Sequence, residues 1–170
     1  MGKARIAGVL LVAFLAAACA QTEKRPYQDP TDGPNAFVTF HNDSPGRASV
    51  AVYDDAARCN GRRFLPDLLV GEQNTVRVRA GQPLAFTFRY AVPNTTPQRY
   101  CSVTATFDPQ AEARYLVSMR QTGDSCTTEV GQVELGADGR LRPIGGVKVI
   151  QRLPAKEPAD ESGTFCLPVP

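Results

Sequence analysis

The 170-residue chain has no tryptophan, only two methionines and a single histidine, His41. It also lacks any C-x-x-C pair or Cys/His cluster, any G-x-S-x-G elbow, any P-loop and any dinucleotide-binding glycine fingerprint. Each absence removes a class of chemistry. Structural zinc sites need clustered Cys and His ligands, so a zinc reading of the cysteines fails on spacing. A serine-histidine-acid triad would have to use His41 without an elbow to present its nucleophile. No cofactor is expected. A bilayer-spanning helix needs roughly 20 apolar residues, and the longest uncharged, mostly apolar run here, Ile6 to Ala18, has 13. No stretch keeps a helical period for more than two turns, and fourteen prolines with fourteen glycines predict many turns and few long helices.

What is present begins at the N-terminus. Lys3 and Arg5 form a short basic start, Ile6 to Ala18 an apolar centre, and Leu15-Ala16-Ala17-Ala18-Cys19 ends it on small residues. That order is the design of a secretory signal over residues 1–18. The ending resembles the lipobox of bacterial lipoproteins, although Ala16 stands where that pattern prefers Leu. The resemblance implies that Cys19 is acylated, with palmitate among its lipids, and becomes the first mature residue. Ala20 after it implies sorting to the outer membrane on the periplasmic side. The alternative is ordinary cleavage after Ala16-Ala17-Ala18, which leaves a soluble periplasmic protein.

Removing residues 1–18 takes away two basic residues and no acidic ones, leaving seventeen of each sign. A neutral mature chain gives no electrostatic case for nucleic acid. Its length suits one domain with a modest core.

Residues 20–35 are polar and hold three prolines within nine residues, so 19–35 reads as a lipidated N-terminus and flexible tether, with Tyr27 solvated. From Ala36 the pattern turns to period two, the signature of strands. The clearest case is Leu84, Phe86, Phe88 and Tyr90 alternating with Ala85, Thr87 and Arg89. Ala36–His41, 48–53, 76–79, 101–107, 115–120, 126–135, 141–144 and 147–153 follow the same logic. Phe64 to Val70, interrupted by Pro66, is at best an edge strand, and 54–63 reads as a polar loop around Cys59. Asn42 to Gly46, 108–112, 122–124 and Asp138-Gly139 carry turn chemistry. Eight to ten short strands over 36–153 predict an all-β antiparallel sandwich, immunoglobulin-like or transthyretin-like, with a small β-barrel as the alternative. The tail, 154–170, is expected to be tied back through Cys166.

Setting Cys19 aside leaves four cysteines, enough for two disulfides in an oxidising compartment. If 101–107 and 113–120 form a hairpin closed at 108–112, Cys101 and the start of the next strand at Cys126 share one end of the sheet. Cys59 and Cys166 would then be the second pair.

The catalytic candidates are thin. His41 sits at a predicted strand end, and Asp54-Asp55 is the one adjacent carboxylate pair, beside Arg58, Arg62 and Arg63. The latter reads as local salt bridging. Arg77, Arg79 and Arg89 fall on wet strand faces and are expected to be solvated. Tyr53, Tyr90 and Tyr100 lie near strand ends, where they cap the core or make an interface. Asn42-Asp43-Ser44 and Asn94-Thr95-Thr96 fit a glycosylation sequon but read more simply as turns. As a whole the chain resembles small proteobacterial lipoproteins with one disulfide-bearing β-sandwich. The anchor, the tether, the disulfide-stapled strands and the missing catalytic constellation together predict a non-enzymatic envelope lipoprotein, held at a membrane by its lipid, that binds or supports an envelope protein or glycan. A soluble periplasmic inhibitor or carrier, and an envelope hydrolase using His41 or loop carboxylates, are the alternatives.

Overall fold

The structure, a computed structural model, describes residues 24–123, 125–155 and 165–167. The signal segment 1–18 and Cys19 lie outside the described residues. Period-two patterning produces ten strands: β1 (Asn35–Asp43), β2 (Ala48–Asp55), β3 (Asn60–Phe64), β4 (Gln73–Arg79), β5 (Leu84–Ala91), β6 (Tyr100–Phe107), β7 (Arg114–Thr122), β8 (Ser125–Leu135), β9 (Leu141–Gly146) and β10 (Ile150–Arg152). They form two five-stranded sheets, ordered β4-β1-β7-β8-β9 and β10-β6-β5-β2-β3. The sheets pack face to face as a β-sandwich. Neither closes on itself, so the barrel alternative does not hold.

The core is the inward half of each alternation. Val38 and Phe40 of β1 meet Phe86 and Phe88 of β5, with the Phe40 ring edge-on to both at 5.5 and 6.2 Å. Val50, Val103, Val117 and Met119 fill the space around them, all buried. Edge-to-face ring pairs of this kind add about 0.5–1.5 kcal/mol beyond the area they bury. Tyr90 is buried too, and its hydroxyl donates to Gln121 Oε1 on the facing sheet. Burial raises its pKa above the ordinary phenol value. Of the two roles open to it, Tyr90 takes the core one.

Several connections differ from the expected hairpins. Residues 108–112 do not close a hairpin: β6 and β7 belong to different sheets, so the chain crosses the sandwich there. Period two records which face of a strand is apolar, not which sheet receives it. One pairing is parallel, β1 with β7 from Phe37↔Arg114 to Asp43↔Arg120, so the sheets are not wholly antiparallel. The polar stretch 54–63 is not a loop but most of a hairpin, β2 with β3, turned through Cys59 at φ 53°. Phe64 to Val70 contributes only the end of β3 and an isolated bridge from Leu68 to Ala48. The strand expected over 147–153 is confined to Ile150–Arg152. Asp138-Gly139 does turn β8 into β9, with Gly139 at φ 75°.

The first sequon is structural. Asn42 is fully buried; its Nδ2 donates to Gly46 O at 2.8 Å and Leu68 O at 3.0 Å, while its Oδ1 accepts from Ser44 N and Oγ. One amide therefore ties the 42–46 turn to the 68–72 loop, as buried polar groups must be satisfied.

The residues read as a tether do not stand off the body over their described part. Tyr27 N donates to Phe64 O and Phe64 N to Arg25 O, both at 2.8 Å, which adds a short parallel bridge to the β3 edge. Tyr27 is half-buried rather than solvated, and its hydroxyl donates to Arg77 O on β4 at 2.5 Å. Burial, reinforced by Asp29 and Asp54 and opposed by Arg77, pushes its pKa up to about 12. Asp29 and Asp32 then meet Arg77 and Arg79 at 3.3 and 3.0 Å. The segment is thus a strap from the β3 edge of one sheet to the β4 edge of the other. The polar composition misled because its partners are backbone groups and arginines some fifty residues away.

Candidate functional site

The second sheet has an outer face built from the outward residues of β2, β5 and β6. Register puts Phe64, Ala51, Thr87, Thr104 and Arg152 in one row across five strands. Ser49, Arg89 and Ser102 form the next row. Ala51, Thr87 and Thr104 in the first row and Ser49 and Ser102 on either side of Arg89 in the second are short, which leaves the face hollow. The result is two adjoining cavities of about 540 and 240 Å³, both lined by Tyr53, Arg62, Thr87, Arg89 and Tyr100.

Its floor is a chain of hydroxyls. Tyr53 OH and Thr87 Oγ1 lie 2.8 Å apart, and Thr87 Oγ1 and Thr104 Oγ1 2.7 Å apart. Its walls are cations resting on rings. The Arg62 guanidinium lies 3.9 Å from the Phe165 ring centroid and 5.0 Å from that of Phe64. Arg89 lies 4.2 Å over Tyr100, and Lys24 5.1 Å from Phe64. Such contacts contribute about 0.5–2 kcal/mol each and hold long side chains that would otherwise sweep solvent. Of the three arginines expected to be solvated, Arg77 and Arg79 are occupied by the strap, and Arg89 lines this face.

One end of the face is closed by the C-terminal segment. The structure brings Cys59 and Cys166 together as a disulfide, Cα–Cα 5.4 Å, and Cys101 and Cys126 as another, Cα–Cα 6.0 Å. These are the pairs the sequence favoured, but the topology differs from the hairpin argument: Cys101 on β6 and Cys126 on β8 clamp one sheet to the other. Cys59, Cys166, Tyr53 and Ala85 form a small second core on the outer face, with Phe165 packed against it. Arg152 secures the same corner. It is buried and donates to the carbonyls of Ala56, Ala57 and Leu167 and to Thr106 Oγ1, at 2.6–3.2 Å. Burial lowers its pKa, and Asp55 opposes the shift.

The catalytic candidates are not brought together. His41 lies half-buried on β1 of the first sheet, with Gln73 and Ser118 as register partners. Asp54 and Asp55 end β2 of the second sheet; Asp54 Oδ2 accepts from Arg63 Nε and Nη2 at 2.9 and 2.8 Å, and Asp55 caps the Ala57 N–H. Among the described residues no group of three or more His, Cys, Asp or Glu is placed to hold a metal ion, and no helix is long and apolar enough to cross a membrane. Known protein-family models give no match to this chain, and no curated protein matches it in sequence.

Sequence reasoning missed the site because its residues were judged one strand at a time. The signal that could have found it was the shared wet face of three neighbouring strands: Ser49/Ala51/Tyr53, Thr87/Arg89 and Ser102/Thr104, rich in hydroxyls and bare of long apolar groups.

Proposed function

We propose that this chain is a non-enzymatic binding module of the bacterial cell envelope, held at the periplasmic face of the outer membrane by a lipid on Cys19. The observation that carries the binding role is the hollow outer face of the second sheet, where ring-supported cations surround a hydroxyl floor. A preformed cavity of this size with convergent polar groups is the usual form of a ligand site. The export signal and the Leu15–Cys19 pattern support the location. The two disulfides suit an oxidising compartment.

In-cell photo-crosslinking tests the binding role. A photoreactive side chain at Ser102, on the hollow face, is expected to capture an envelope component, whereas the same group at Thr127 on the first sheet is not. Equal capture, or none, from both positions removes the reading. Cys19→Ala is expected to abolish palmitate incorporation and release the protein to the soluble fraction; retention in the membrane fraction would reject the anchor.

A further inference from the structure

We propose that the Leu69-Val70 turn is a second membrane contact, an apolar tip that enters the lipid interface beside the anchor. This rests on the reading of Cys19 as lipidated and adds how the sandwich lies on the bilayer.

Chain length is the first argument. Among the described residues the body's backbone hold on the N-terminal segment begins at Arg25, whose carbonyl accepts from Phe64 N at 2.8 Å. Six peptide steps separate residue 19 from residue 25, and they reach at most about 20–22 Å. The β3 edge is therefore kept near the bilayer whatever path those residues take. β10, the other edge of the same sheet, lies four strand spacings away, about 19 Å. The exposed Ile144 and Leu153 on that far side meet the bilayer only if the six steps run straight across the whole sheet.

The Leu69-Val70 tip lies on the near side. Beyond Phe64 the chain keeps to the β2 edge, with Leu65 N donating to Val50 O and Leu68 bridged to Ala48. Leu69 and Val70 follow at once, 47% and 61% exposed. Asp67, just before them, lines the same cavity as Lys24 and Arg47. The start of the strap and the apolar tip thus share one corner.

The turn is built to hold those two side chains out. Glu72 N donates to Leu69 O at 3.0 Å, Leu69 N to the Glu72 carboxylate at 2.8 Å, and Gly71 N to Asn42 O at 2.8 Å. Gly71, at φ 79°, takes the position at which a type II turn needs a left-handed residue. The buried Asn42 amide fixes the base of the turn through Leu68 O. A single exposed leucine needs no explanation. Two adjacent apolar side chains on so fixed a turn are different: they can enter an apolar phase without the backbone ordering that would otherwise oppose the transfer. Lys24, Arg25 and Arg47 are exposed at the same corner, and basic residues beside an apolar tip suit an anionic lipid surface.

The chain has no tryptophan, so one introduced at the tip reports alone. Lipidated Val70→Trp and, as the far-side control, Ile144→Trp are reconstituted into vesicles of phosphatidylethanolamine and phosphatidylglycerol with brominated acyl chains. Both positions are exposed, so neither replacement disturbs the core, and matching thermal midpoints check this. The Val70→Trp emission should move to shorter wavelength than that of the unlipidated Cys19→Ala form in solution. Bromine should quench it, also at high salt, where electrostatic attraction is screened. Ile144→Trp should show neither change. Adding Leu69→Asp to Val70→Trp should remove the quench, because a carboxylate resists transfer into hydrocarbon. The proposal is overturned if the lipidated Val70→Trp chain stays unquenched, if Ile144→Trp is quenched as much, or if Leu69→Asp leaves the quench in place. An unquenched tip on a palmitate-bearing, vesicle-bound chain discards this contact and keeps the anchor; a chain that takes up no palmitate discards both.

Discussion

Residues 25–32 and residues 165–167 both lie along the sandwich, yet the two segments are held by opposite chemistry. The N-terminal strap has two backbone hydrogen bonds, one phenol and two exposed ion pairs. The C-terminal segment has a disulfide to Cys59, a buried arginine, and backbone bonds from Ala155 N to Phe165 O and from Leu167 N to Leu153 O. Exposed ion pairs contribute about 0–1 kcal/mol and are screened by salt. A disulfide closing a loop of this length contributes about 4–5 kcal/mol on the chain-entropy model. The strap should therefore open under conditions that leave the tail in place. The difference also sorts the arginines: Arg77 and Arg79 meet the acids of the strap, while Arg62 stacks on Phe165 of the tail.

The comparison can be broken from its strong side first. Replacing Cys59 and Cys166 together by Ser should lower unfolding free energy by up to about 4–5 kcal/mol, read from urea midpoints, and should strip exchange protection from residues 165–167. Retained protection there would mean that Arg152 and the backbone bonds hold the tail without the disulfide.

Tyr27 gives the middle-sized effect, and its sign is set by its raised pKa. The neutral phenol is the bound form, so its contribution is full below the ordinary value near 10 and is lost as pH rises through about 12. Exchange protection at Phe64 N–H, corrected for the intrinsic rate, should hold up to pH 10 and fall between 10 and 12, and Tyr27→Phe should remove that pH dependence. The smallest effect belongs to the acids. Asp29→Asn with Asp32→Asn should cost less than about 1 kcal/mol each at low salt and nothing measurable in 0.5 M salt. A larger loss would show the ion pairs acting as a network with Tyr27.

The same contrast explains what could be read in the sequence. β5 and β6 were legible because every second residue is apolar over the whole strand and each pairs within its own sheet. β3 was not, since Asn60-Gly61-Arg62-Arg63-Phe64 has no apolar alternation; it becomes a strand by lining up beside β2, with Arg62 and Phe64 covering each other. The strap was missed for a related reason: hydrogen bonds to distant backbone leave no periodic trace. The disulfide partners were legible although the sheet partition was not, because a strand returning across the sandwich comes back to the same end as one returning in a hairpin. For the candidate site, single arginines on wet strand faces look solvated until register sets Arg89 next to Ser49 and Ser102 and the tail brings Phe165 to Arg62.

The bond between Cys59 and Cys166 joins the turn before β3 to a point beyond β10, so eight of the ten strands belong to one covalent ring. In topological terms the molecule is a closed loop with a long N-terminal arm, which carries β1, β2 and the strap, and a short one beyond Cys166. A backbone cut in the 92–99 or 136–140 loops opens the ring without dividing the molecule, and the fragments remain one chain by mass until reduced. A cut between the strap and β1 has no such protection. A protease that severs the arm there would separate the sandwich, its hollow face intact, from every residue that precedes the cut.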